Sequence, residues 1–429
     1  MTDANAQGAP VENHGWRVTF AGLGINLALG VLYTWSVFKK NIPAEWGWQH
    51  LALWPYAVSC LVFCIIMVPA GRMQDKLGPR LTAAIGGILV GAGLILASQT
   101  TSLAGYIVGF GVLAGAGFGF GYASATPPAI KWFPKAKTGM IAGIVVSGVG
   151  LASVYIAPLA AALIKAIGIE KTVLIFGVSF MAIVVGLAQL LKPPPAGYVP
   201  EGEVPPAANN GGLVKKEEFT PGEMLTTWQF YLLWFMYACG AGAGLMIIGI
   251  LADMAKKQAG VELGFVLVAA LAVGNGAGRI IAGIVSDRIG RQATMCICFV
   301  MQAVLIFLMS MATQGTVLAN TAVLTLMSAF VGANYGANLS LFPSATKDYY
   351  GVKNFGVNYG LVFTAWGVGG FVLALVASFV RQSTQSFTFA YYCSAGLLVV
   401  AAGATFLLRA PHHVEESEPA LVRGFVEAG

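Results

Sequence analysis

Gly71-Arg72-Met73-Gln74-Asp75-Lys76-Leu77-Gly78-Pro79-Arg80 joins two apolar segments, and its spacing, Gly-x-x-x-Asp-x-x-Gly, returns at Gly283, Asp287 and Gly290. The two copies lie 212 residues apart, as do Trp16 and Trp228, each at the start of an apolar segment. Phe133-Pro134 and Phe342-Pro343 form a further pair 209 residues apart. Landmarks held in register across two halves mark an internal duplication. Working outward, apolar segments run at about 17–38, 51–71, 81–98, 105–128, 140–165 and 172–191. Six more follow at about 228–251, 263–285, 293–312, 317–341, 354–380 and 386–408. Between the sets lies 192–227, with Pro193-Pro194-Pro195, Pro205-Pro206 and Lys215-Lys216-Glu217-Glu218, a composition that builds a linker and no core.

Of the 429 residues, 57% are hydrophobic and only 10% charged, with a mean hydropathy of +0.76. Soluble domains carry roughly a quarter charged residues, so a water-soluble globular fold is excluded. A helix of about 20 apolar residues crosses a hydrocarbon core about 30 Å thick. The alternating pattern of a transmembrane barrel is absent, so the spans are helical. The expected fold is an all-α membrane protein with twelve transmembrane helices in two pseudo-symmetric six-helix bundles. Its parts are a tail (1–16), a first bundle (17–191), the linker (192–227), a second bundle (228–408) and a tail (409–429). Residues 1–16 contain no hydrophobic signal core, so no cleaved signal peptide is expected.

With the N-terminus inside, 16 basic residues fall on the cytoplasmic side and 7 outside, with Arg279 left within a span. The positive-inside rule then puts both termini in the cytoplasm of a plasma membrane, here a bacterial inner membrane. The net charge of +6 is a topology signal and not a nucleic-acid footprint. The six cysteines lie in apolar spans with no histidine or acid beside them, which reads as packing and leaves no metal site. Gly115, Gly117, Gly119 and Gly121 mark close helix contacts; the run lacks the strand and lysine of a phosphate loop, so no nucleotide and no cofactor is expected.

All 18 acidic residues fall in loops, in tails or at span ends, and no histidine sits at membrane depth. An enzyme would need acid–base or metal groups there, so an enzyme is not expected. Only Arg279 is left at depth, in Val273-Gly274-Asn275-Gly276-Ala277-Gly278-Arg279-Ile280. An arginine at the bilayer centre costs roughly 2.5–3.5 kcal/mol or more. Without an acid to pair with, it faces a hydrated cavity or awaits an anion, and its fork of donors fits a carboxylate. Asn275 lies one turn earlier on the same face. A guanidinium capped by main-chain oxygens and cut off from any aqueous chamber would contradict this reading.

The six-plus-six layout and the Gly71–Arg80 loop resemble the major facilitator superfamily. More narrowly, Leu32-Tyr33-Thr34-Trp35, Lys131-Trp132-Phe133-Pro134, Gly222-Glu223-Met224-Leu225, Leu341-Phe342-Pro343-Ser344 and Asn358-Tyr359-Gly360 resemble the oxalate/formate antiporter family and the monocarboxylate transporters. The resemblance implies parallel six-helix repeats rocking around a midplane site. It also implies that monocarboxylate transporters carry an aspartate where Asn275 stands, and that oxalate carriers have a second cation, a lysine, where Trp366 stands. One fixed charge would leave half of a dianion unpaired, which favours a monocarboxylate. Tyr33 and Tyr122 match site tyrosines of the oxalate carriers, and Tyr335 and Phe363 match aromatic positions of the same cavity. Phe363 and Trp366 share a helix face, as do Asn334 and Asn338, and Asn338 joins the candidate site.

Asp75 with Arg80, and Asp287 with Arg291, are expected at a cytoplasmic gate, where an aspartate can sit at a helix N-terminus of the other half. Tight turns at Gly78 and Gly290 would serve equally well as the reason for these motifs. The expected function is secondary active transport of small monocarboxylates such as L-lactate and pyruvate, with a proton as co-substrate. Oxalate/formate-type anion exchange is the alternative.

Overall fold

The computed structural model describes residues 12–195, 198–200, 218–261, 264–384 and 388–411; most of both tails and of the linker lies outside these. Among the described residues the architecture is all helical, and twelve long helices carry it. They are α1 (Gly15–Lys40), α2 (Trp54–Leu77), α3 (Pro79–Ser98), α4 (Leu103–Ile130), α5 (Thr138–Ile167) and α6 (Ile169–Ala188). The second set is α7 (Trp228–Lys257), α8 (Gly264–Ile289), α9 (Arg291–Ser310), α10 (Thr321–Tyr350), α11 (Phe355–Thr384) and α12 (Thr388–Thr405). Eleven are long and apolar enough to cross a membrane. The exception, α10, is as long but buries Asn334, Asn338, Ser340, Ser344, Thr346 and Lys347, so its polarity faces protein and its average hydropathy understates its depth.

The duplication shows in the packing. α2 packs on α4 as α8 packs on α10, α3 on α6 as α9 on α12, and α1 on α5 as α7 on α11. The halves meet along two seams related by the same symmetry, α2 with α11 and α5 with α8. Small residues set the spacing there. A Cβ on Gly71 would strike the carbonyl of Gly356, and one on Gly283 the carbonyl of Gly139, so each seam is backbone against backbone. Gly78 and Gly290, at φ 89° and 92°, each join consecutive helices through a single residue, a conformation that a side chain would strain.

Three details depart from the sequence reading. The tenth span does not stop at 341 but runs through Pro343 to Tyr350. Proline removes one backbone bond, which a helix packed within protein tolerates. Phe133-Pro134 lies in a turn after α4, so the two Phe-Pro pairs are in register but not in the same conformation. Asp75 and Asp287 sit in the last turn of α2 and α8 and not in the following loops.

Candidate substrate site

Arg279 lies ten residues before the end of α8, which is about 15 Å along the helix from the linker side. α8 is thin here. Cβ atoms on Gly274 and Gly278 would hit the carbonyls of Ala329 and Ala333, so α10 closes tightly on one face. On the other face α5 of the first half approaches, with Gly143 against the Arg279 carbonyl and Gly150 beside its Nε.

The guanidinium is fully buried. Its Nε donates to Asn275 Oδ1 at 3.1 Å. Its Nη1 donates to the carbonyl oxygen of Val146 on α5, a contact that crosses between the halves. Nη2 is buried and meets no acceptor at hydrogen-bond geometry, although the Tyr33 hydroxyl lies near enough to interact with the guanidinium. The hydrated cavity expected from the sequence is therefore not open in this conformation, and one nitrogen is capped by main chain. The cap is partial, because the closed α5–α8 seam brings a single carbonyl to a group with five donor hydrogens. An unpaired charged donor in the interior costs more than the roughly 1–3 kcal/mol of a neutral one.

Around this cation the structure gathers aromatic side chains from both halves. Tyr33, in the 3-10 stretch Gly30–Thr34 of α1, has its hydroxyl 3.0 Å from that of Tyr335 on α10. The indole nitrogen of Trp366 on α11 donates to the same Tyr335 hydroxyl at 2.9 Å. Trp366 stacks on Phe363 with ring centroids 5.3 Å apart, and Phe363 lies 5.3 Å from the ring of Tyr122 on α4. Phe63 on α2 touches Tyr122, Phe363 and Trp366. The charge of Arg279 acts on Tyr33, Tyr122, Tyr237 and Tyr335. Asn338 lies one turn beyond Tyr335 on α10, with a buried Oδ1 that meets no hydrogen-bond partner. Its amide nitrogen donates to Asn334 O at 3.0 Å and its side chain packs against Gly240 of α7, inside the second half.

Sequence reasoning passed over several members. The Val146 carbonyl carries no side-chain signal, and Phe63 and Tyr237 look like ordinary packing aromatics. Tyr359 stands in Asn358-Tyr359-Gly360, four residues before Phe363, and its ring lies 5.8 Å from that of Phe363.

On the linker side both aspartates cap helices of the opposite half. Asp75 accepts from the backbone nitrogens of Gly356 and Val357, at 3.1 and 2.9 Å, at the start of α11. Asp287 accepts from Gly139 and Met140, each at 2.8 Å, at the start of α5. The positive end of each helix favours the carboxylate. Arg291 reinforces the second cap, pairing with Asp287 at 2.7 Å and with Asp348 at 2.8 Å. Arg80 makes no hydrogen bond or ion pair with the described residues, so the two caps are unequal. Lys347 adds a buried cross-half contact that sequence reasoning missed, donating to Thr138 Oγ1 at 2.8 Å and to Ile130 O at 3.3 Å. Burial pushes the amine of Lys131, in the turn after α4, below its ordinary value, against the opposing pull of Asp75 and Glu218.

Two six-helix halves with backbone-tight seams, capped on one side and closed around a central cation, agree with the family comparison. The Major Facilitator Superfamily profile matches residues 43–267 and 233–426. The chain belongs to the Major Facilitator Superfamily. It is accordingly a multi-pass membrane protein and a secondary transporter of small solutes, not an enzyme. This facilitator is 27% identical over 355 residues to the uncharacterized MFS-type transporter YhjX of Escherichia coli, covering 82% of this chain and 85% of that one. It is also 27% identical to the oxalate:formate antiporter of Oxalobacter formigenes, covering 82% and 81%. A stretch of 152 residues is 28% identical to monocarboxylate transporter 13 of Rattus norvegicus, 35% of each chain. Among solved structures, FucP in the outward conformation matches with a TM-score of 0.66 at 16% identity, covering 91% and 98%. That likeness shows the fold.

Proposed function

We propose that this facilitator carries small monocarboxylates, foremost L-lactate and pyruvate, by alternating access in symport with a proton. The membrane is a bacterial plasma membrane, with the linker and both termini on the cytoplasmic side. The observation that supports this is Arg279 Nη2, a buried charged donor that meets no protein acceptor at hydrogen-bond geometry, at the interface of the two halves.

A carboxylate can engage Nη2 with one oxygen and draw Nη1 away from the Val146 carbonyl with the other. The anion exchanges one bond from the guanidinium to a neutral carbonyl for a bidentate pair to an opposite charge and fills the unpaired donor, so the exchange favours the anion. Val146 and Arg279 belong to different halves, and losing their bond loosens the α5–α8 seam that ends in the Asp287 cap. Substrate binding thereby biases the equilibrium between closed and open linker sides. Arg279 with a monoanion is neutral, while an anion entering alone against 100 mV, negative inside, faces about 2.3 kcal/mol. A proton removes that barrier. Labelled L-lactate uptake into proteoliposomes is expected to rise several-fold under an inward proton gradient. Uptake indifferent to the gradient and dependent on internal anion would instead establish exchange.

The similarity to the oxalate:formate antiporter favours exchange as a second reading. The resemblance implies that Trp366 stands where the oxalate carriers have their second cation, and here it is a buried donor to Tyr335. Trp366→Lys is expected to raise oxalate uptake at least tenfold and to weaken lactate uptake. Efficient oxalate exchange by the wild type would overturn the monocarboxylate assignment.

A further inference from the structure

Three tyrosines converge on the ring of Phe363 from three helices. Tyr122 of α4 lies 5.3 Å from it, Tyr359 of α11 5.8 Å and Tyr237 of α7 6.2 Å, centroid to centroid. All three side chains are buried, and each hydroxyl is buried without a hydrogen-bond partner. Tyr359 is near enough to interact with both of the others, yet no pair meets hydrogen-bond geometry. Phenylalanine would fill the same volume without an orphan hydroxyl, and buried hydroxyls are normally paired. The cluster is distinct from the Tyr33–Tyr335–Trp366 chain, whose hydroxyls and indole satisfy one another.

Resting on the carboxylate site at Arg279, we propose that Tyr122, Tyr237 and Tyr359 form the subsite for a second oxygen of the substrate. That oxygen is the 2-oxo or 2-hydroxyl group of a short carboxylic acid. Phe363 and Trp366 line one side of this site: Phe363 bears the three tyrosines, and Trp366 stacks on it and donates to Tyr335. A hydroxyl donates to a keto oxygen and donates to or accepts from a hydroxyl, so pyruvate and lactate both fit. Propionate has the same carbon chain and no such oxygen. It would leave the cluster unpaired, and sites built to bond an oxygen discriminate strongly against analogues that lack it.

The test is uptake of L-lactate, pyruvate and propionate into proteoliposomes by wild type, Tyr237→Phe, Tyr359→Phe and Arg279→Gln. The wild type is expected to prefer lactate and pyruvate over propionate by roughly 100-fold or more in kcat/KM. Each tyrosine variant should lower that ratio about tenfold, through the oxygenated acids alone. Both substitutions remove one oxygen atom and no ring contact, so a folding defect is separable as an equal loss for all three acids. An unchanged ratio in both variants would mean that the hydroxyls hold only water and would overturn the subsite, while loss of all uptake in Arg279→Gln would leave the carboxylate site standing. Uptake of all three acids undiminished in Arg279→Gln, or no uptake of any by the wild type, would overturn the carboxylate site and the subsite with it.

Discussion

Arg279→Gln is expected to abolish carboxylate transport, lowering initial uptake by about 100-fold or more, in a protein that still folds. Glutamine retains a side-chain amide that can donate to the Val146 carbonyl, so the α5–α8 contact has a substitute. What it loses is the charge and the second, unpaired nitrogen. Charge-assisted hydrogen bonds are worth about 1.5–3 kcal/mol each, and two of them correspond to roughly 100-fold or more in affinity. Arg279→Lys should recover little, because an ammonium is a point charge without the planar fork. Thermal unfolding of the purified variant is the control. Relieving an imperfectly paired buried charge should leave the midpoint at or above that of the wild type. Near-normal uptake by Arg279→Gln would remove the cation from the transport mechanism.

Asp287→Ala is expected to shift the resting conformation toward an open linker side. The Asp287 carboxylate holds two amide hydrogens at the start of α5 and pairs with Arg291. Its loss strands both amides and leaves Arg291 with Asp348 alone. Two charge-assisted bonds represent about 3–6 kcal/mol before water replaces part of them, which suffices to move a two-state equilibrium by at least 100-fold. Uptake should fall about tenfold or more as the opposite-facing state is depleted. Val146→Cys, with the native cysteines replaced, should become labelled from the linker side at least ten times faster when Asp287→Ala is added. Asp75→Ala should do less, since Arg80 does not reinforce the Asp75 cap as Arg291 does that of Asp287. Equal effects of the two substitutions would show that the caps act without the arginine.

The fold was legible because membrane insertion and gene duplication both write plainly in sequence. Length and apolarity fix the spans, and the pair Asp75 and Asp287 fixes the repeat. α10 is the instructive exception, since its buried Asn334, Asn338 and Lys347 lower the apolar signal in a helix that faces protein on most sides. Arg279 stood out because nothing else charged shares its depth. The rest of the site was harder to see for a physical reason. Val146 contributes a carbonyl, which every residue has, and Tyr237 and Tyr359 differ from packing aromatics only in hydroxyls that find no partner. Asn338 shares a face of α10 with Asn334 by spacing, and its side chain meets Gly240 of α7. Periodicity shows which residues share a face. It does not show which neighbour that face meets.

The central claim is that one buried guanidinium receives one carboxylate. Equilibrium binding of labelled L-lactate to the purified protein in lipid nanodiscs tests it without the complications of transport. Saturable binding at one site per chain in the wild type, absent in Arg279→Gln and retained in Asp287→Ala, is the predicted result. Lactate bound equally well by Arg279→Gln would contradict it.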